Sequence, residues 1–220
     1  MIDYFSLGHP LADLRSHYAL KARHRMFDLF IQAFRPTAQT RVIDLGVTPD
    51  DSLPESNLFE QLYPYPDKLT VASIEDANSL EERFPGVKYV KIDSQTLPFA
   101  SGEFDIVFCS AVLEHVGSRE AQRSFIAEAL RVSKRFFFTT PHRYFPIDFH
   151  TLLPLIHWLP QHQHQALLRT LGKDFWAQTE NLNLLTPTEL LKLFPVCEQL
   201  HLRRIWLFGW PSNIIVHGQT

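Results

Sequence analysis

Apolar and polar positions along the chain change period several times, and each change marks an element. Over residues 10–34, Leu11, Leu14, Tyr18, Met26, Phe27, Phe30 and Ile31 recur at near-helical spacing, with Arg and Lys between them and Pro36 beyond. This pattern predicts a helix. Residues 41–46 form a short apolar run ending in Gly46, as a buried strand does. Residues 47–67 hold four prolines and little apolar periodicity, and read as a long loop. Further strands are predicted over 69–74, 87–92, 104–109 and 135–140. One helix is predicted to stop at Pro85-Gly86, and another to span 119–132 with Phe125, Ile126, Ala129 and Leu130 on one face. The strand-like runs 200–208 and 213–217 flank Gly209-Trp210-Pro211-Ser212 and predict an antiparallel hairpin. Residues 142–180 are irregular, aromatic and rich in histidine.

Strand and helix thus alternate through residue 140, which implies an α/β fold with a mostly parallel sheet covered on both faces. The expected sheet has about seven strands, the last antiparallel. The 220 residues suffice for one domain with a substantial core. Within this domain, 1–36 is an N-terminal helical segment and 142–180 a lid-like insertion.

Composition narrows the function classes. The formal charge of −3 argues against sequence-independent nucleic-acid binding, which needs a basic surface. No stretch approaches the roughly 20 apolar residues of a membrane span, and no basic-then-apolar leader is visible at Met1. Cys109 and Cys197 lie in apolar runs without metal spacing, so a cytoplasmic protein with reduced thiols is expected. His157, His162 and His164 lack accompanying carboxylate or cysteine ligands, and no metal is expected there. The 18 Phe against 8 Gly bear on ligand binding, because most nucleotide-binding loops depend on glycine.

Ligands of an open parallel sheet bind beyond the carboxyl ends of its strands. The residues there are Asp44 and Gly46, Ser73 and Glu75, Asp93, Ser110 with Glu114-His115, and Pro141-His142-Arg143. A carboxylate after the second strand suits ribose hydroxyls, and an Asp after the third suits an exocyclic amine. Each could alternatively cap the helix that follows.

Val42-Ile43-Asp44-Leu45-Gly46 resembles the first motif of the class I S-adenosylmethionine-dependent methyltransferases. The runs from Val90 to Phe99, containing Asp93 and Leu97-Pro98-Phe99, and from Phe104 to Val116, containing Leu113-Glu114-His115-Val116, resemble their adenine-side and fourth-strand motifs. The resemblance covers roughly residues 38–141 and is closest to the subgroup acting on metabolites, lipids and sugars. It implies S-adenosyl-L-methionine as cofactor. Asp44 and Gly46 would line its methionine end. Glu75 would hold the ribose, with Ser73 and Asp76 as alternatives. Asp93, with Ser94 beside it, would hold the adenine amine. Ser110 would face the methionine carboxylate or the reaction centre, and Leu97 and Phe99 would pack on the adenine or in the core. The chain departs from the family after Gly46, where Val47 and Thr48 replace further glycines and Asp50 and Asp51 add negative charge.

The implied activity is methyl transfer to a small-molecule, sugar or lipid-linked acceptor, with no nucleic-acid partner. His115 and His142 are the candidate bases. Arg143, Tyr144 and His150 are the candidate acceptor contacts, in a segment mixing aromatic faces, a cation and imidazoles. The altered loop supports one alternative, a binding or scaffold protein that keeps the fold without turnover. A nicotinamide-dependent oxidoreductase is disfavoured, because no Gly-x-Gly-x-x-Gly follows the first strand. No Walker loop and no nucleophile elbow is present.

Overall fold

The computed structural model describes residues 12–92 and 96–220. Seven strands form one sheet: β1 Val42–Leu45, β2 Leu69–Ser73, β3 Lys88–Lys91, β4 Phe104–Ser110, β5 Ser133–Pro141, β6 Gln199–Leu207 and β7 Trp210–Gln219, in the order β3-β2-β1-β4-β5-β7-β6. β7 runs antiparallel to both neighbours, and the other pairs are parallel. The order reverses at β1, so a crevice opens beyond the carboxyl ends of β1 and β4.

Helix α1 spans Ala12–Phe34, α2 Leu58–Leu62, α3 Ser79–Arg83, α4 Arg119–Val132, α5 Gln161–Thr170 and α6 Pro187–Leu191. The buried strands alternate their side chains between two cores. Ile43 and Leu45 join Val107, Phe136 and Phe138 with Ile126 and Ala129 of α4 and Leu190 of α6. On the other face, Val42, Phe108 and Phe137 meet Met26 and Phe30 of α1 and Phe59 of α2. The Phe59 and Phe108 rings stack 4.0 Å apart, and Phe108 stacks on Phe137. Burying each such ring contributes about 1.5–3 kcal/mol, and phenylalanines pack on both faces of the sheet.

Two stretches differ from the sequence reading. Residues 47–67 contain α2, whose Leu58, Phe59 and the following Tyr63 are all buried. Flanking prolines mask this short apolar face in the sequence. Within 142–180 lies α5, which rests Leu168 on a satellite core of Trp176, Ala177, Leu182 and Leu184. In α1, Leu14 is exposed, whereas Ala22 and Met26 are buried. Among the described residues, no helix is long and apolar enough to cross a membrane.

Candidate functional site

One cavity of about 300 Å³ opens at the topological switch point, at the lower limit for ligand pockets. α1 contributes Arg15, Ala19, Ala22, Arg23 and Met26, spaced as one helical face. The two alanines keep the helix close without filling the crevice. Asp44, Gly46 and Thr48 come from β1 and the loop after it, and Ser73 and Glu75 from the end of β2. Ser110 ends β4, Glu114 and His115 follow it, Thr139 lies on β5, and Phe149 and His150 come from the segment beyond β5.

Gly46 turns the chain out of β1 with φ +91°, a region that glycine adopts readily. A Cβ at this position would stand 2.3 Å from Val112 Cγ2. The loop beyond Gly46 is held by side chains. Asn57 donates to the Thr48 carbonyl at 2.8 Å, and the Thr48 amide donates to Asn57 Oδ1 at 3.3 Å. The Thr48 hydroxyl donates to Glu75 at 3.4 Å. This reciprocal Thr48–Asn57 pair does the work usually left to glycine backbone. Asn57 itself sits in the left-handed region, at φ 51°.

Asp44 is buried beneath this loop against Glu60 of α2. Both carboxyl pKa values are raised, chiefly by burial, and the proximity of Glu60 pushes Asp44 further. Two neighbouring carboxyls in a desolvated site favour one shared proton. Arg23 faces the pair and opposes the shift.

At the other end, Ala111 adopts φ 57° and its amide donates to the Thr139 carbonyl at 3.0 Å, bending the chain so that Glu114 and His115 cover the cavity. Ser110 and Thr139 share a hydroxyl hydrogen bond of 2.9 Å. Glu114 is fully buried. Its Oε2 accepts from Thr140 at 2.8 Å, and its Oε1 has no hydrogen-bond partner among the described residues. His115 Nδ1 donates to the Asn181 carbonyl at 2.6 Å, and its Nε2 lies 4.0 Å from Glu114 Oε1. Burial lowers the His115 pKa, against the pull of Glu114. His150 Nδ1 lies 2.8 Å from Asp148 Oδ1. Burial opposes charge on His150, yet Asp148 outweighs it and raises the pKa. Burial likewise opposes charge on Asp148, but His150 and the Thr151 hydroxyl hold its carboxyl far below the usual range.

The structure therefore brings Asp44, Gly46, Glu75, Ser110, His115 and His150 to one cavity. His142, Arg143 and Tyr144 are not in its lining. The His142 Nδ1 accepts the Tyr144 amide at 3.0 Å, and burial, with Arg204, lowers its pKa. Arg143 donates to the carbonyls of His157 and Leu159 and faces a small separate cavity with His157 and His164. Tyr144 is exposed, edge-on to Trp158. Asp93 and Ser94 lie outside the described residues. Leu97 and Phe99 pack in or against the α4-side core. Sequence reasoning missed Arg15, Arg23 and Glu60. The spacing of Arg15, Ala19, Ala22, Arg23 and Met26 was the available signal for the first two.

A family model described as a methyltransferase domain matches residues 64–135. No curated protein matches the chain. Among solved structures, a Pyrococcus horikoshii OT3 protein is similar with a TM-score of 0.60 at 14% identity, covering 99% of this chain and 95% of that one. The N-methyltransferase NodS from Bradyrhizobium japonicum WM9, in complex with S-adenosyl-L-homocysteine, gives 0.53 at 13% identity, over 90% of this chain and 86% of that one. The N-terminal domain of EvdMO1, solved with S-adenosyl-L-homocysteine and D-fucose, gives 0.54 at 16% identity, over 92% and 82%. At such identities the structures speak to the fold, and the family model speaks to the segment from the β1–β2 loop into β5. Residues 64–135 thus match a methyltransferase-domain model, and the chain as a whole shares the fold of solved methyltransferases.

Proposed function

We propose that the chain transfers the methyl group of S-adenosylmethionine to a small acceptor in the cytoplasm, the acceptor being a metabolite, a sugar or a lipid-linked compound. One observation carries this reading: a single crevice has cationic and acidic groups at its β1 end and a histidine–carboxylate cluster at its β4 end. Two similar structures support small polar ligands, since one is an N-methyltransferase and another was crystallised with D-fucose. Both cysteines are free thiols, in keeping with a reducing compartment.

The residues present fit the methionine and ribose parts of the cofactor. Arg15 and Arg23 line the cavity and offer charge to a carboxylate, offsetting the acidic Asp50 nearby. The shared-proton pair Asp44–Glu60 offers acceptors to an ammonium. Glu75, half-buried at the end of β2, is placed for ribose hydroxyls. When bound, the cofactor supplies a methyl already activated on a sulfonium. The protein's share is then alignment and exclusion of water. Where the acceptor must lose a proton, that task falls to the Glu114–His115–His150 end. Residues 142–180, which deliver Phe149 and His150, would act as the lid-like insertion on the acceptor side.

Calorimetric titration with S-adenosylmethionine and S-adenosylhomocysteine tests the reading. Both should bind one to one, and Glu75→Ala should weaken binding by about 1–3 kcal/mol through the lost acceptor. If the parent protein binds neither, the scaffold alternative replaces this one. Unchanged affinity in Glu75→Ala would mean the ribose lies elsewhere.

A further inference from the structure

We propose that Glu114, His115 and His150 form a binding site for a first-row divalent cation, with zinc favoured by the donor set. One ligand atom from each residue lies within 4.8 Å of those of the other two. Around zinc such atoms stand roughly 3.3 Å apart, given metal–ligand bonds of about 2.0–2.1 Å, so a modest contraction closes the site.

Three features suit a cation better than a plain buried polar cluster. First, Glu114 Oε1 is fully buried and has no hydrogen-bond partner among the described residues, although Oε2 of the same carboxylate is bonded to Thr140. A lone buried carboxylate oxygen is costly unless something compensates it. Second, both imidazoles are fixed through Nδ1, His115 by the Asn181 carbonyl and His150 by Asp148. A carbonyl or carboxylate on the far nitrogen is the arrangement that orients metal-binding histidines and leaves Nε2 as ligand. Third, that tautomer points the Nε2 lone pair of a neutral His115 toward the Glu114 oxygen 4.0 Å away. Two acceptors facing each other across a gap repel, and a cation between them turns the repulsion into two bonds.

The charges nearly balance. Glu114 and Asp148 bring two negative charges to the two of the ion, while Arg15, which lines the same cavity, opposes it. Two histidines and one carboxylate leave coordination positions open, as in sites that take water or a substrate oxygen. The open side is the cavity, so an oxygen-bearing ligand could complete the shell. His157 and His164 lack this arrangement: their rings are 6.4 Å apart and Arg143 lies beside them.

The site itself does not depend on methyl transfer, and the experiment uses the metal alone. Chelator-treated full-length protein is titrated with Zn²⁺ by calorimetry, and separately with Co²⁺ followed by visible absorption. One ion per chain is expected, with cobalt bands of a four- or five-coordinate centre. Glu114→Gln, which preserves shape and the Thr140 acceptor, and His150→Ala should each weaken Zn²⁺ binding at least a hundredfold. His162→Ala, altered at an exposed position of α5, should bind like the parent. Circular dichroism checks that each variant is folded, and the cobalt spectrum of the parent stands independently of any variant. Absence of a saturable one-to-one site, a purely octahedral cobalt spectrum, or parent-like affinity in both Glu114→Gln and His150→Ala would overturn the proposal. None of these outcomes bears on cofactor binding, which is read in the separate titration.

Discussion

The two ends of the cavity handle buried negative charge in opposite ways. At the β1 end, Asp44 and Glu60 face each other; burial raises both pKa values, and Glu60 pushes Asp44 further up. At the β4 end, Asp148 and Glu114 face imidazoles, and Asp148 stays ionised with His150 as its partner. The first solution favours a pair that shares one proton and so carries one negative charge rather than two. The second leaves full charges that must be paired or compensated. The difference shows that placement alone lets a single crevice push one buried carboxyl pKa up and hold another down.

The largest expected effect breaks the frame that both ends share. Gly46→Ala forces a Cβ to 2.3 Å from Val112 Cγ2 at φ +91°. Strain and overlap together should cost about 4 kcal/mol, measured by urea denaturation at pH 7. Adding Val112→Ala should recover only the overlap part, because the backbone strain remains. A cost below about 1 kcal/mol for the single change would mean that the two loops are not in firm contact.

Asp148→Asn attacks the charged end. His150 would lose the ionised partner at 2.8 Å, and breaking a buried pair should cost about 3 kcal/mol. Equal stability of parent and variant in urea would show that the pair is already solvated.

Glu60→Gln sharpens the contrast from the other side and has the smallest effect. It replaces a buried carboxyl by a neutral amide that can still donate to Asp44, so stability at pH 7 should rise by about 1 kcal/mol. The sign of the pH dependence follows from the raised pKa values. The folded pair keeps a proton that the unfolded chain releases above the ordinary carboxyl range near pH 4. Stability from this source is therefore fully present at low pH and is lost as pH rises through the raised values. The variant should show a flatter profile in that window. A steeper one would show that Asp44 and Glu60 do not share a proton.

Much of this was readable in the chain. The strands after residue 40 are short apolar runs with clear stops. Strand ends in a parallel sheet point to the ligand, so Asp44, Glu75 and Ser110 could be placed without coordinates. What could not be read came from elements whose sequence signal is weak or points elsewhere. Glu60 sits on a five-residue helix between prolines. Arg15 and Arg23 sit on a helix whose large apolar residues draw attention to its core face. His115 and His150 were each singled out, but with unrelated roles, because helix α4, strand β5 and an irregular turn lie between them. Only the turn built around Asp148, which accepts from His150 and Thr151, brings their rings to 5.0 Å. Arg143 and Tyr144 follow β5 directly, yet the chain turns away there, and hydrogen bonds to its own carbonyls hold Arg143 aside.

The raised carboxyl pKa values of Asp44 and Glu60 also have a thermodynamic consequence for ligand binding. A cationic group arriving beside the pair lowers both carboxyl pKa values and expels the proton into solvent. The buffer takes it up and adds its own heat of ionisation to the titration. Cofactor binding measured in two buffers at the same neutral pH should then give different apparent enthalpies but the same affinity, and the slope against buffer ionisation enthalpy counts the protons released. The pair thus makes a pocket with no change of shape sensitive to the acidity of its surroundings, through mass action alone.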